Sequence, residues 1–141
     1  MKKIGLLAAV FYFLIAPFTY HPDTKLVLYY PSIKQGKVWN IYEYLNTSQD
    51  EAPKFHYPPL HYWVLKAEWP LVRLVGGSGI ESWLKMGGNV AFNDPNIYLY
   101  NFACKLPILL LVLLSGYFIY KICLKNNFDQ KTALKAATIW F

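Results

Sequence analysis

Between Lys105 and Lys121 the chain passes through fifteen residues, LPILLLVLLSGYFIY, without a single charge. No other feature narrows the fold as much. A helix that is apolar on every side has no face for water, so it needs a complete protein jacket or a bilayer. With its flanks, as residues 98–124, it is long enough to cross the roughly 30 Å hydrocarbon layer. Tyr98, Tyr100, Tyr117 and Tyr120 stand where interfacial aromatics belong. Pro107 falls in the first turns of a helix that opens near Leu106, where few backbone donors are lost.

The charge is distributed around the apolar runs. Lys2, Lys3, Lys121, Lys125, Lys131 and Lys135 face only Asp129, and six lysines less one aspartate leave +5 of the net +6. From His21 to Lys105 eight basic residues meet seven acidic ones. That pattern follows the positive-inside rule rather than the stripe of a nucleic-acid-binding protein, so no nucleic-acid partner is expected. Cys104 and Cys123 lie in one apolar run, about 28 Å apart if it is helical, too far to pair.

A second apolar run, Ile4 to Tyr20, follows the first two lysines. A cleavable signal peptide starts in the same way, but no small-x-small site follows and Ala16 precedes Pro17, so an uncleaved signal anchor is expected. A third run, TALKAATIWF, occupies 132–141 and is too short to span. The fold class that follows is an all-α integral membrane protein with a long extracytoplasmic loop. Its expected segments are a membrane helix over 1–20, the loop over 21–97, a second membrane helix over 98–124, a cytoplasmic turn over 125–131 and the start of a third membrane helix over 132–141. The chain then reads as the N-terminal piece of a longer multi-pass protein. A loop of that length between spans is usually functional.

Within the loop, Leu60, Trp63, Val64, Ala67, Leu71, Leu74 and Val75 recur at helical spacing and form one stripe. Pro70 is expected to bend this helix, and Trp63, Trp69, Lys66 and Arg73 suit a membrane headgroup layer. Membrane lipids are therefore expected partners, with packing against other helices the alternative. VWNIYEYL, from Val38 to Leu45, reads as a second short helix. Gly76-Gly77-Ser78-Gly79 lacks the lysine-serine of a phosphate loop and reads as a turn. His56 and His61, separated by two prolines, cannot share a helical face as a metal pair would, and no metal or cofactor is expected.

Four short motifs in a fixed order carry a resemblance: His21-Pro22-Asp23 just beyond the first apolar run, GKVWNIYEYL from Gly36, FHYPPL from Phe55 to Leu60, and Lys105-Leu106-Pro107. Together with the amphipathic helix they resemble the GT-C superfamily of membrane glycosyltransferases, which use polyprenyl- or dolichyl-phosphate-linked sugars, as mannosyltransferases do. The resemblance implies that Asp23 is the catalytic base in an inverting transfer to an acceptor hydroxyl at the extracytoplasmic face. It also implies that Lys105, with Asn101 four residues earlier, meets the leaving phosphate, and that His56 and Tyr57 face the cavity from a stiff Pro58-Pro59 elbow. Thr24 stands where many relatives have a second acid, which argues against a divalent metal. The 141 residues alone are expected to be inactive, and the lysine-rich start suits a bacterial plasma membrane better than the endoplasmic reticulum. The alternative is a non-enzymatic membrane protein whose external loop binds a partner or lipid.

Overall fold

Pro17 and Pro22 decide the shape of the N-terminal third. In the computed structural model, which describes residues 2–48 and 55–140, α1 covers Lys2–Ile15, a 3-10 turn follows over Ala16–Phe18, and α2 covers Pro22–Ser32. Pro17 has no N–H to continue the α ladder, and Pro22 is pre-set for a first helical position. The axes of the segments Lys3–Phe18 and Pro22–Ser32 differ by 88°. The expected helix over 1–20 is thus shorter and ends in a right-angled corner. Met1 and Phe141, the outer limits of the first and last expected segments, lie outside the described residues.

Five further helices follow before the chain turns back. They are α3 (Ile41–Thr47), α4 (Pro59–Gly76), α5 (Gly79–Lys85), α6 (Gly88–Phe92) and the long α7 (Ile97–Lys125). The last, α8, covers Gln130–Trp140. All regular structure among the described residues is helical. The start of α3 is set by Asn40, whose Oδ1 accepts from the Glu43 N–H at 3.3 Å while its amide reaches back to the Glu43 carboxylate, so the short helix begins after Val38 and Trp39 rather than with them. The Pro58-Pro59 pair opens α4 with Pro59 at its first position. The helix runs unbroken through Pro70 and stops where Gly77 adopts φ +69°, a conformation that a side chain would resist.

A single core joins these elements. Leu28 and Tyr30 of α2, Ile41 of α3, Tyr62, Leu65, Trp69 and Val72 of α4, and Ile80, Trp83 and Leu84 of α5 close on Tyr100, Ala103 and Cys104 of α7. Each large apolar side chain buried here contributes about 1.5–3 kcal/mol. Tyr100 is one of them, with its ring 5.4 Å from Trp83, so it fills the core instead of an interface.

The helix α7 has two halves with different surroundings. It begins nine residues before Leu106, because the Asp94–Asn96 turn starts it: Asp94 accepts from the Asn96 N–H at 2.8 Å. Pro107 consequently lies about three turns inside, where its missing donor leaves the carbonyl four residues back without its usual partner. The first turns are packed into the core, while Ile108, Leu110, Leu111, Leu114, Phe118 and Ile122 are exposed. Only 22% of its most apolar window is buried, whereas the central helix of a water-soluble domain would be mostly covered. Among the described residues α7 alone is long and apolar enough to cross a membrane, and α1 with α2 meets that test only as the bent pair.

The connection from α7 to α8 is a tight hairpin. Asn127 takes φ +62°, Phe128 N–H donates to Cys123 O at 3.1 Å and Asn127 N–H to Leu124 O at 3.2 Å, the paired bonds of a Schellman cap with asparagine in glycine's place. Asp129 then caps α8, accepting from the Thr132 N–H at 2.8 Å and its hydroxyl at 2.9 Å, and these bonds hold its carboxyl below the usual aspartate range. Ala133 and Ala137, one turn apart and fully buried, let α8 lie close against its neighbours, and the Trp140 indole donates to Val112 O at 3.1 Å.

Candidate functional site at the corner between α1 and α2

A helix end leaves its last carbonyls without intrahelical donors. At this corner they are met by side chains more than eighty residues away. Asn101 Nδ2 donates to Pro17 O at 3.1 Å. Lys105 Nζ donates to Ala16 O at 3.2 Å and to Thr19 Oγ1 at 2.6 Å. Thr19 Oγ1 in turn leans on Ile15 O and Ala16 O, each at 3.4 Å. Asn101 and Lys105 are four residues apart on one face of α7, so one face grips the whole corner. An ammonium against the carbonyl end of a helix also meets the negative end of its dipole.

Asp23 projects from the other side of the corner, in the first turn of α2. Its carboxylate is 70% exposed and lies 3.6 Å from Nδ1 of His21. That same nitrogen accepts the Asp23 backbone N–H at 3.3 Å, which caps α2. The two roles exclude each other. A neutral imidazole accepts the backbone proton, whereas a protonated one donates to the carboxylate. The carboxylate is free to accept a proton or a hydroxyl from outside, and the positive end of α2 favours its charge.

Lys25, two residues on, turns the opposite way. Its Nζ donates to Leu84 O at 2.8 Å and to Met86 O, and lies 5.7 Å from the Trp83 ring centroid. It closes the carbonyl end of α5 and fixes the orientation of α2. Burial pushes its ammonium below the ordinary lysine pKa. Sequence reasoning missed this residue, because a lysine after Asp-Thr carries no local sign that its head will be buried.

The remaining expected residues sit elsewhere. Tyr57 follows the buried Phe55 in the elbow. Its ring lies 4.8 Å from His61 and its carbonyl accepts from the Tyr42 hydroxyl, while His56 is exposed. Phe55 packs against Tyr30 at the far end of α2, with ring centroids 4.8 Å apart. From Asp23 to Tyr30 the helix rises about 10 Å. Asn101 and Lys105 therefore meet at the corner carbonyls, Asp23 opens α2 just beyond them, and His56 and Tyr57 belong to a second cluster at the opposite end of α2. Among the described residues no hydrogen bond or ion pair links the two clusters, and no three His, Cys, Asp or Glu side chains converge as metal ligands would.

Near the elbow is a third arrangement. The Lys66 ammonium donates to Val38 O at 2.7 Å and stands 4.2 Å from the Trp39 ring and 5.1 Å from the Trp63 ring. The two indoles are 5.1 Å apart. The Tyr62 hydroxyl shares the Val38 carbonyl at 2.7 Å, and burial raises its pKa to about 12.

No family model matches this chain, and no curated protein and no solved structure is significantly similar to it.

Proposed function

We propose that the chain forms the N-terminal part of a multi-pass membrane glycosyltransferase of GT-C type, in a bacterial plasma membrane. It would transfer a sugar, such as mannose, from a polyprenyl-phosphate donor to an acceptor hydroxyl at the extracytoplasmic face. The observation that carries this reading is the corner itself. A cation, Lys105, holds the turn at the end of an apolar helix through Ala16 and Thr19, and an exposed carboxylate, Asp23, stands in the first turn of the next helix, four residues beyond Thr19.

In this reaction the acceptor oxygen attacks the anomeric carbon from the face opposite the phosphate. As the new carbon–oxygen bond forms, Asp23 takes the hydroxyl proton, and the bond from the sugar to the phosphate breaks with its electron pair leaving on the polyprenyl phosphate. The configuration inverts. Lys105 spends two of its three donors on Ala16 and Thr19, and the third is left for the developing negative charge. On this reading the cavity would be completed by further membrane helices, and the activity would belong to a longer polypeptide.

The test is sugar transfer from a polyprenyl-phosphate donor by the full-length protein in vesicles, comparing Asp23→Asn with the parent. Loss of a thousandfold or more in rate with unchanged donor binding is expected. Near-normal transfer removes Asp23 from the mechanism and the reading with it.

One observation favours the non-enzymatic alternative, a membrane protein whose external layer binds a partner or lipid. Pro17 and Ala16 carbonyls already account for the positions of Asn101 and Lys105 as helix caps. A topology reporter between α1 and α7 bears on both readings, because a cytosolic signal there excludes an extracytoplasmic site.

A further inference from the structure

The helix α4 is apolar on two opposed sides. Tyr62, Leu65, Trp69, Val72 and Gly76 repeat every three or four residues and are buried in the core. At about 100° per residue, Leu60, Trp63, Val64, Ala67, Leu71 and Leu74 centre on the opposite side. Leu60 is 74% and Leu74 78% exposed. The polar residues are confined to the two flanks, His61 and Glu68 on one, Lys66 and Arg73 on the other. An amphipathic helix at the rim of a water-soluble domain needs only the first apolar side.

At the N-terminal end of the outer side the chain adds Trp39 from the segment before α3. This indole is 71% exposed, leans on Trp63, and borders an open groove of about 370 Å³ floored by Ile41, Pro59 and Tyr62. Lys66 spends one donor on Val38 O, which fixes its head beside the paired rings with two donors left. Glu43, the carboxylate nearest in sequence to Trp39, is engaged with Asn40.

We propose that Trp39, Lys66 and Trp63 form a binding site for phospholipid headgroups that seats the outer side of α4 on a bilayer. The occupant follows from chemistry and from position. Indoles favour the headgroup layer, where an apolar body and a polar N–H are both accommodated, and an ammonium fixed beside them complements lipid phosphate. The leucines beside them match the boundary between headgroups and acyl chains. The layer is within reach, because α4 packs on α7, whose exposed apolar surface needs the same bilayer. This inference is independent of the sugar-transfer reading and concerns a different face from Asp23.

The experiment uses the full-length protein in vesicles of phosphatidylcholine and phosphatidylglycerol. Spin labels are placed at Val64→Cys and Leu74→Cys in a Cys123→Ser background, with Ser82→Cys on α5 as the aqueous control. All three label sites are exposed, so the core is untouched. Collisions with dissolved oxygen are expected to exceed those with a water-soluble nickel chelate at 64 and 74, with the opposite order at 82. Lys66→Gln should raise nickel access at 64 at least twofold. In the unlabelled parent, a brominated-chain lipid should quench tryptophan emission at least twice as strongly as in the Trp39→Phe, Trp63→Phe variant. Asp23→Asn should change none of these readings. Greater nickel than oxygen access at 64 and 74 would place the stripe in water, and low access to both would place it against protein, whether a second copy or another part of the chain. Either result overturns the proposal.

Discussion

The Lys105 ammonium lies 2.6 Å from the Thr19 hydroxyl, although 86 residues separate them. This bond, with that from Lys105 to Ala16 O, ties α7 to the turn from which Asp23 emerges. Removing the lysine as Lys105→Ala leaves a part-buried carbonyl and an exposed hydroxyl without their donor and is expected to cost about 1–2 kcal/mol. Thr19→Val should cost about 1 kcal/mol. Thermal unfolding in detergent measures both. The enzymatic reading adds a second signature: Lys105→Gln should raise the KM for the polyprenyl-phosphate donor tenfold or more, while Thr19→Val leaves it nearly unchanged. Equal effects from the two variants would reduce Lys105 to a helix cap.

Lys25 provides the corresponding tie between α2 and α5. In Lys25→Met the Leu84 and Met86 carbonyls lose their side-chain donor, and a loss of about 2–3 kcal/mol is expected by chemical unfolding. A variant as stable as the parent would show that water replaces the ammonium at no cost.

Gly79 is held against the Tyr100 hydroxyl so closely that a Cβ would collide with it. Because Tyr100 is buried against Trp83, its ring cannot swing away freely. Gly79→Ala should destabilise by about 1–3 kcal/mol. Tyr100→Phe in the same chain should recover part of that loss, and a double-mutant cycle reads the coupling. Strict additivity would contradict the contact.

Glu68 sits half-buried on the flank of α4, and burial raises its carboxyl pKa. The folded chain therefore holds this proton more tightly than the unfolded chain does. Stability from Glu68 is complete below its unfolded value and is lost as pH rises through the raised folded value. Glu68→Gln should therefore raise Tm at about pH 8 and leave it unchanged at about pH 4, measured by scanning calorimetry in detergent. A variant less stable at the higher pH would mean that the ionised carboxylate has a favourable partner.

Much of the secondary structure can be read from local chemistry. The Pro58-Pro59 pair announces the start of α4, and an uncharged run announces α7. Boundaries set by capping are harder to see. The start of α7 at Ile97 depends on the Asp94 turn, and that of α3 on Asn40 and Glu43, so both helices differ at their ends from the limits of hydrophobic pattern.

For the candidate site, it is the resemblance to the GT-C family that singles out Asp23, Asn101 and Lys105. The meeting of Asn101 and Lys105 depends on the Ala16 and Pro17 carbonyls left open where the helix ends, and no spacing along the chain reveals which distant donor will reach them. The same resemblance adds His56 and Tyr57 at the Pro58-Pro59 elbow, and the length of α2 sets that cluster apart from the corner. Lys25 and the Trp39–Lys66 contact left no local pattern at all, since each joins segments that only packing brings together.

The amino-acid order alone determined that this chain would be helical and that one helix would carry apolar side chains on every side, because periodicity and the absence of charge are local properties. It also placed a strong apolar stripe on α4. Only the tertiary structure decided that the opposite stripe, from Tyr62 to Gly76, enters the core. Two apolar faces of one helix compete for the same interior, and the shape of the surface offered by α2, α5 and α7 determines which of them is buried.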